Sequence, residues 1–237
     1  MQDTVVKTPG AIGISGAQES KVNLSVAQYL QTELIRQGVS VKISRTSDIT
    51  KDLNDRSKEA NQWGADVVVS IHCNAYNNAN ANGTETFVYK KGSNSEKIAN
   101  QVQKNLIAAL NTTNRGVKEG NLAIVRDTNA PAILVELAFI TNKSDCVKLV
   151  DTTYQKECAV AICKGLCTYL GIPYKKEKIN TVITTDYQGH WAEQAISKLI
   201  HTSVMVGSSE GKFRPNDTAT RAEVAQTIYN LLKYLGK

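Results

Sequence analysis

The sequence predicts an α/β protein: a mostly parallel twisted sheet flanked by helices, plus a small C-terminal helical motif. Two apolar runs carry that expectation, residues 65–71 ending at His72 and residues 132–137 containing Glu136. Each is short, rich in β-branched residues and bounded by turn formers, the mark of a strand buried on both faces. The third observation is alternation. Segments with apolar residues at helical spacing separate the strands, which implies βαβ units.

Taken in order, residues 1–18 are irregular, with Pro9, Gly10, Gly13 and Gly16 as breakers. Val22, Val26, Leu30 and Leu34 then repeat with helical period, and Gly38 closes the helix. Val39, Val41 and Ile43 alternate as a strand. A short helix over 53–63 leads through Gly64 into the His72 strand. An Asn-rich loop over 74–82 precedes a strand at 84–89, and Ser95 is placed to cap a helix carrying Ile98, Val102, Leu106 and Leu110. Residues 115–129 read as loop with a short strand at 122–125. After the Glu136 strand, a long helix over 153–170 ends at Gly171 and Pro173. The expected division is 1–174 as the main domain, 175–185 as a polar linker and 186–237 as a small motif. In that motif one helix at 190–200 buries Ala192, Ile196 and Leu199. A second, from Thr220, buries Val224, Ile228, Leu231 and Leu235. About fifty residues make a marginal core, so this piece is expected to lean on a partner, on the first domain or on another copy of itself.

A net charge of +6 and a pI near 9.0 favour an anionic partner. Aromatics are few and no Lys/Arg block occurs, which argues against nucleic acid. No apolar run approaches the ~18 residues of a membrane span, and no secretory signal is visible at the first residues. Five cysteines, at 73, 146, 158, 163 and 167, form no C-x-x-C pair and read as reduced core thiols. Successive strand side chains face opposite ways, so Cys73 is not expected to share a site with His72.

Chemistry collects outside the carboxyl ends of strands in open α/β sheets. There His72 and Glu136 can converge, with Glu19 at the start of the first helix as a third candidate. A mixed histidine and carboxylate set suits a hydrolytic zinc site with one further acid to move the proton. On spacing alone the reading stays open, because strand-end acids also cap neighbouring helices.

Four stretches sharpen it. They are Gly64-Ala-Asp-x-x-x-Ser-Ile-His72-x-Asn-Ala, Asn82-Gly-Thr-Glu-Thr, Arg115-Gly-Val-Lys and Asn129-Ala-Pro-Ala-x-Leu-Val-Glu136-Leu-x-Phe-Ile-Thr-Asn. In this order, over about residues 9–170, the chain resembles the zinc-dependent N-acetylmuramoyl-L-alanine amidases of the amidase-3 type. The resemblance implies cleavage of the amide between N-acetylmuramic acid and L-alanine in peptidoglycan. It implies Glu19 and His72 as zinc ligands and Glu136 as the catalytic acid/base. Asn74 either shapes the substrate groove or forms a turn, and Arg45 and Arg56 fit structural ion-pair positions. The pattern departs at its start. The family opens on a strand ending in Asp-Pro-Gly-His-Gly-Gly, whose histidine is the first zinc ligand. Here residues 1–8 stand in that place, with Thr4 nearest the histidine's position. Three readings stay open: a chain begun inside its reading frame, a non-catalytic relative that still binds wall, or a distant histidine, His190 or His201, as third ligand.

The C-terminal piece has a resemblance of its own. Asp186-Tyr-Gln-Gly-His-Trp191-Ala-x-x-Ala-Ile and Gly211-Lys-Phe-Arg-Pro215-Asn-Asp-Thr-Ala-Thr-Arg221-Ala-Glu223 resemble one S-layer homology motif. That implies an anionic secondary cell-wall polymer as partner, with Arg221 and Trp191 as polymer-binding candidates, and an extracellular, cell-wall-associated protein. Thr220 and Glu223 read as a capping box, and Trp191 reads as a core aromatic ahead of a sugar platform. A single copy is expected to bind weakly unless chains associate.

Overall fold

The computed structural model describes residues 10–176, 185–207 and 212–235. The opening stretch with Thr4 and Pro9, most of the expected linker (177–184) and Gly211 lie outside the described residues. The chain divides into two compact units, 1–175 and 176–237.

The first unit holds one four-stranded sheet in the order β1-β4-β2-β3. Its elements are α1 (Glu19–Arg36), α2 (Leu53–Trp63), β1 (Val68–Asn74), β2 (Thr84–Val88), α3 (Asn94–Leu110), β3 (Asn114–Glu119), α4 (Ala123–Arg126), β4 (Ala132–Phe139), α5 (Lys143–Leu149) and α6 (Thr152–Leu170). β1 pairs β4 and β2 pairs β3 in parallel, while β2 and β4 run antiparallel. The sheet is therefore mixed at its centre, with parallel pairing on either side.

The two faces are covered unequally. Ile133, Val135 and Leu137 of β4 join the main core with Val26 and Leu30 of α1, Val102 and Leu106 of α3 and Ile162 and Leu166 of α6. Ala132 and Leu134 point the other way, into a small cluster with Val125 and the half-buried Val68, Phe87 and Ile124. The helix α4 covers that second face thinly, with α2 packed against α4, and it is the face that carries His72 and Glu136.

Several sequence expectations are corrected. The Val39, Val41 and Ile43 stretch alternates but forms no strand. Among the described residues no strand lies within bonding reach of it: a groove of about 870 Å³ lies between it and β1. Alternation without a pairing partner does not make a sheet. Residues 115–119, expected as loop, fall in β3, and where a strand is expected at 122–125 a helical turn runs over 123–126. Ser93, not Ser95, caps α3 by accepting from Glu96 N–H, and Ser95 Oγ accepts instead from Ala132 N–H at 3.1 Å. The reduced-thiol reading matches five free, buried cysteines.

Among the described residues of the second unit the α-helices are α7 (Glu193–His201) and α8 (Arg221–Tyr234). The Asp186 carboxylate accepts from Phe213 and Arg214 N–H, tying the segment before α7 to the segment before α8. The capping box forms: Thr220 Oγ1 accepts from Glu223 N–H, and Glu223 Oε2 accepts from Thr220 N–H at 2.7 Å. Ile196 is buried as expected, and Ala192 and Leu199 are half-buried. The α8 expectation fails: Val224, Ile228, Leu231 and Leu235 are all exposed, because two short helices do not enclose a core. Trp191 is no core aromatic either, being 92% exposed. Among the described residues no helix is long and apolar enough to cross a membrane.

Within the first unit, α6 lies so close to α3 that a Cβ on Gly165 would stand 2.6 Å from Val102 Cα. Backbone cannot yield as a flexible side chain can. Gly165→Val should therefore destabilise the first unit by roughly 1–3 kcal/mol, read as a lower urea midpoint with the fold retained.

Candidate active site at the ends of β1 and β4

Parallel pairing sets His72 directly opposite Glu136. Antiparallel pairing sets Glu136 directly opposite Glu85 on β2. Residues in register share a face, so these three side chains stand in a row across the sheet. The register slips between His72 and Asn74, where β4 carries one extra residue. Bulges of this kind gather beside functional sites, where they re-aim side chains. Asn74, two residues beyond His72, sends Nδ2 to Glu85 Oε1 at 2.6 Å.

Glu19 reaches the row from α1. Its Oε1 lies 2.9 Å from His72 Nδ1, and it also accepts from Asn23 Nδ2 at 3.1 Å and Cys73 N–H at 3.2 Å. Its Oε2 accepts from Ala11 N–H at 2.8 Å. Gly10 makes this approach feasible: its φ is +69°, and a Cβ there would stand 2.6 Å from Glu19 Oε2. Burial alone would raise the Glu19 carboxyl, but the bonds from His72, Ala11 and Asn23 and the His72 charge hold it at about 2. His72 Nε2 lies 3.1 Å from Ser70 Oγ.

Glu136 is the opposite case. Its Oε2 is buried without a hydrogen-bond partner. Burial pushes its carboxyl up to about 7, against the pull of His72 and with further push from Glu19 and Glu85. Such a group is half protonated at neutral pH, the condition for both accepting and returning a proton.

Sequence reasoning assigned no role to Glu85. It is 4% exposed, and its Oε2 takes Arg115 Nε at 2.6 Å and Lys118 Nζ. The available signal was an acid in a buried strand, with two bases spaced three apart about thirty positions downstream. Arg45 pairs Asp48 at 3.6 Å, whereas Arg56 bonds the Lys51 carbonyl at 3.2 Å rather than a carboxylate. Cys73 points into the core, its Sγ on Asn23 Oδ1 at 3.4 Å, as strand alternation requires.

Glu19 and His72 are donors of the kinds that zinc prefers, and Glu136 is an orphaned acid beside them. A catalytic zinc takes three protein ligands and a water. The described residues contain no group of three His, Cys, Asp or Glu able to hold a metal ion. The set fits zinc in kind and supplies two donors. His190 is engaged inside the second unit, Nε2 at 3.1 Å from Asn216 Oδ1 and Nδ1 accepting from Ala192 N–H.

The Glu85 cluster has a measurable consequence. Burial raises its carboxyl, but Lys118 and Arg115 hold it below the usual range. A carboxyl depressed on folding adds stability above its unfolded pKa, lost as pH falls through the folded value. Glu85→Gln should cost roughly 2 kcal/mol at pH 7. That deficit should shrink below about pH 4, as urea unfolding across pH would show.

Known proteins place this geometry in a family. Residues 6–168 match the N-acetylmuramoyl-L-alanine amidase family, and residues 184–225 match the S-layer homology domain. The chain is 38% identical over 162 residues to N-acetylmuramoyl-L-alanine amidase LytC of Bacillus subtilis (strain 168), covering 68% of this chain and 32% of LytC. Among solved structures, the N-acetylmuramoyl-L-alanine amidase from Clostridium difficile 630 superposes with a TM-score of 0.68 at 36% identity, over 70% of this chain and 91% of the other. The catalytic domain of CwlV, N-acetylmuramoyl-L-alanine amidase from Bacillus (Paenibacillus) polymyxa var. colistinus, gives 0.68 at 33%, over 71% and 94%. With more than half its length matched and the sheet shared with these enzymes, the chain belongs to the N-acetylmuramoyl-L-alanine amidase family.

Proposed function

We propose that the first unit hydrolyses the amide between N-acetylmuramic acid and L-alanine in peptidoglycan, and that the second unit holds it on the wall. The observation that carries the reading is the meeting of Glu19, His72 and Glu136 at the carboxyl ends of β1 and β4.

Glu19 and His72 would hold a zinc ion, which when bound supplies Lewis-acid polarisation of water and scissile carbonyl. The protein's own groups do the rest. Glu19, ionised even in acid, keeps negative charge beside the His72 ring and fixes its orientation through Nδ1. Glu136 accepts a proton from the attacking water and delivers it to the amide nitrogen as the C–N bond breaks. That leaves a carboxylic acid on the muramyl side and a free amine on L-alanine. The thin cover over this face leaves room for a glycan strand.

On the second unit, exposed Arg221 offers a fork suited to an acidic sugar, and Trp191 offers an exposed ring in the same motif. An anionic secondary wall polymer is the partner this supports, with the protein extracellular and cell-wall associated. The uncovered apolar residues of α8 support self-association through this motif. The count of two metal donors favours a second reading, a wall-binding protein without hydrolysis.

Purified protein should take up about one zinc per chain and release L-alanine-linked N-termini from cell walls. Glu136→Gln should cut that release by a factor of about 10²–10⁴ with an unchanged melting curve. Undiminished release would remove Glu136 from the mechanism, and neither zinc uptake nor release in the parent would leave the wall-binding reading. Arg221→Ala should lower retention on walls while leaving hydrolysis of soluble muramyl peptides unchanged.

A further inference from the structure

We propose that Arg115, backed by Lys118, is the subsite for a carboxylate on the peptide side of the scissile bond. The first unit would then prefer stem peptides whose second residue carries a free α-carboxyl over those in which it is amidated. The inference rests on the amidase reading above and adds a direction and a selectivity to it.

Three observations carry it. The first is position. The row His72, Glu136, Glu85 continues onto β3, where Glu85 pairs with Gly116, between Arg115 and Lys118. Neighbouring strands lie about 4.8 Å apart, so β3 stands roughly 10 Å from Glu136. In a peptidoglycan stem the residue after L-alanine is a D-glutamate, one residue, or about 3.5 Å of chain, beyond the cleaved bond. Its α-carboxyl falls between Glu136 and β3, within reach of an arginine side chain.

The second is charge. Glu85 is a single buried carboxylate, yet two cations sit on it, and its other oxygen already has Asn74. One cation suffices to neutralise it, so a positive charge is left over at the surface. A stem carboxylate is drawn toward that charge on β3, which orients the peptide across the sheet.

The third is presentation. Arg115 spends Nε on Glu85, and its guanidinium lies 4.8 Å over the Phe139 ring. Its two terminal nitrogens have no hydrogen-bond or ion-pair partner among the described residues. The Arg115 and Lys118 side chains are 33% and 39% exposed, so both are open to a ligand. A planar fork held by Glu85 at Nε and over a ring, with its outer edge free, is preorganised for bidentate binding of carboxylate.

The test uses the full chain carrying Glu136→Gln, which prevents turnover. Calorimetry measures binding of N-acetylmuramoyl-L-alanyl-D-isoglutamate and of its isoglutamine counterpart. The acid should bind about tenfold tighter than the amide, the worth of one charge-assisted hydrogen bond, and the ratio should shrink with added salt. Adding Arg115→Gln should bring the ratio to about one. Lys118 still neutralises Glu85 in that variant, so the fold should hold. Arg115→Lys should retain part of the ratio. Lys118→Gln, which leaves Arg115 on Glu85, should lower it severalfold and gives a second route if Arg115→Gln does not fold. Equal affinity for acid and amide in the parent, or an unchanged ratio in either glutamine variant, would overturn the subsite. Absence of binding by either ligand would overturn the amidase reading itself, and the subsite with it.

Discussion

Two carboxylates stand directly opposite one another on β2 and β4, and the rest of the site is arranged to make that tolerable. Like charges in register across a sheet repel, and burial makes the repulsion worse. The protein resolves it asymmetrically. Glu85 receives two cations and an amide, and so stays ionised below the usual range. Glu136 receives nothing on Oε2, and holds its proton to near neutrality. Pairs of acids whose environments drive them apart are the usual way one site obtains a fixed charge and a mobile proton.

That arrangement depends on the unequal coverage of the sheet. The face packed by α1, α3 and α6 is rigid and apolar, and it fixes the strand register from behind. A slip of one residue would turn His72 and Glu136 into that core and bring Cys73 and Leu137 out. The large buried side chains opposite the site, Ile133, Val135 and Leu137, thus act on the chemistry by making such a slip costly. At the end of the sheet Asp145 adds a clamp, accepting from Gly83 and Phe139 N–H and so holding β2 against β4 where the row of charges begins.

Legibility in the sequence followed the strength of the hydrophobic signal. β1 and β4 were readable because each is a near-continuous apolar run interrupted by one ionisable residue, which also marked His72 and Glu136. β3 was not readable: Asn-Arg-Gly-Val-Lys-Glu has one apolar residue, and its strand character comes from pairing with β2. The same tertiary dependence explains the opposite error at Val39, Val41 and Ile43, where a good pattern lies across a groove from the sheet. Glu85 escaped notice because its role is set by Arg115 and Lys118, about thirty positions away, which only register brings together. On α8 the apolar spacing was real and the burial was not, since periodicity tells which residues share a face and not what covers it.

The five thiols carry a consequence for how the chain must be made. In the folded state all five are buried, and those at 73, 158, 163 and 167 are pushed above the ordinary cysteine range, chiefly by burial. Thiolate, the form that oxidants and disulfides react with, is therefore scarce once packing is complete. Cys163 and Cys167 lie with their sulfurs 4.0 Å apart on one helix and remain unjoined. Before packing, the same five groups are exposed and odd in number, so any pairing in an oxidising medium strands at least one and traps a non-native crosslink. The hazard is kinetic and confined to the nascent chain: collapse of α6 onto the sheet has to outrun oxidation.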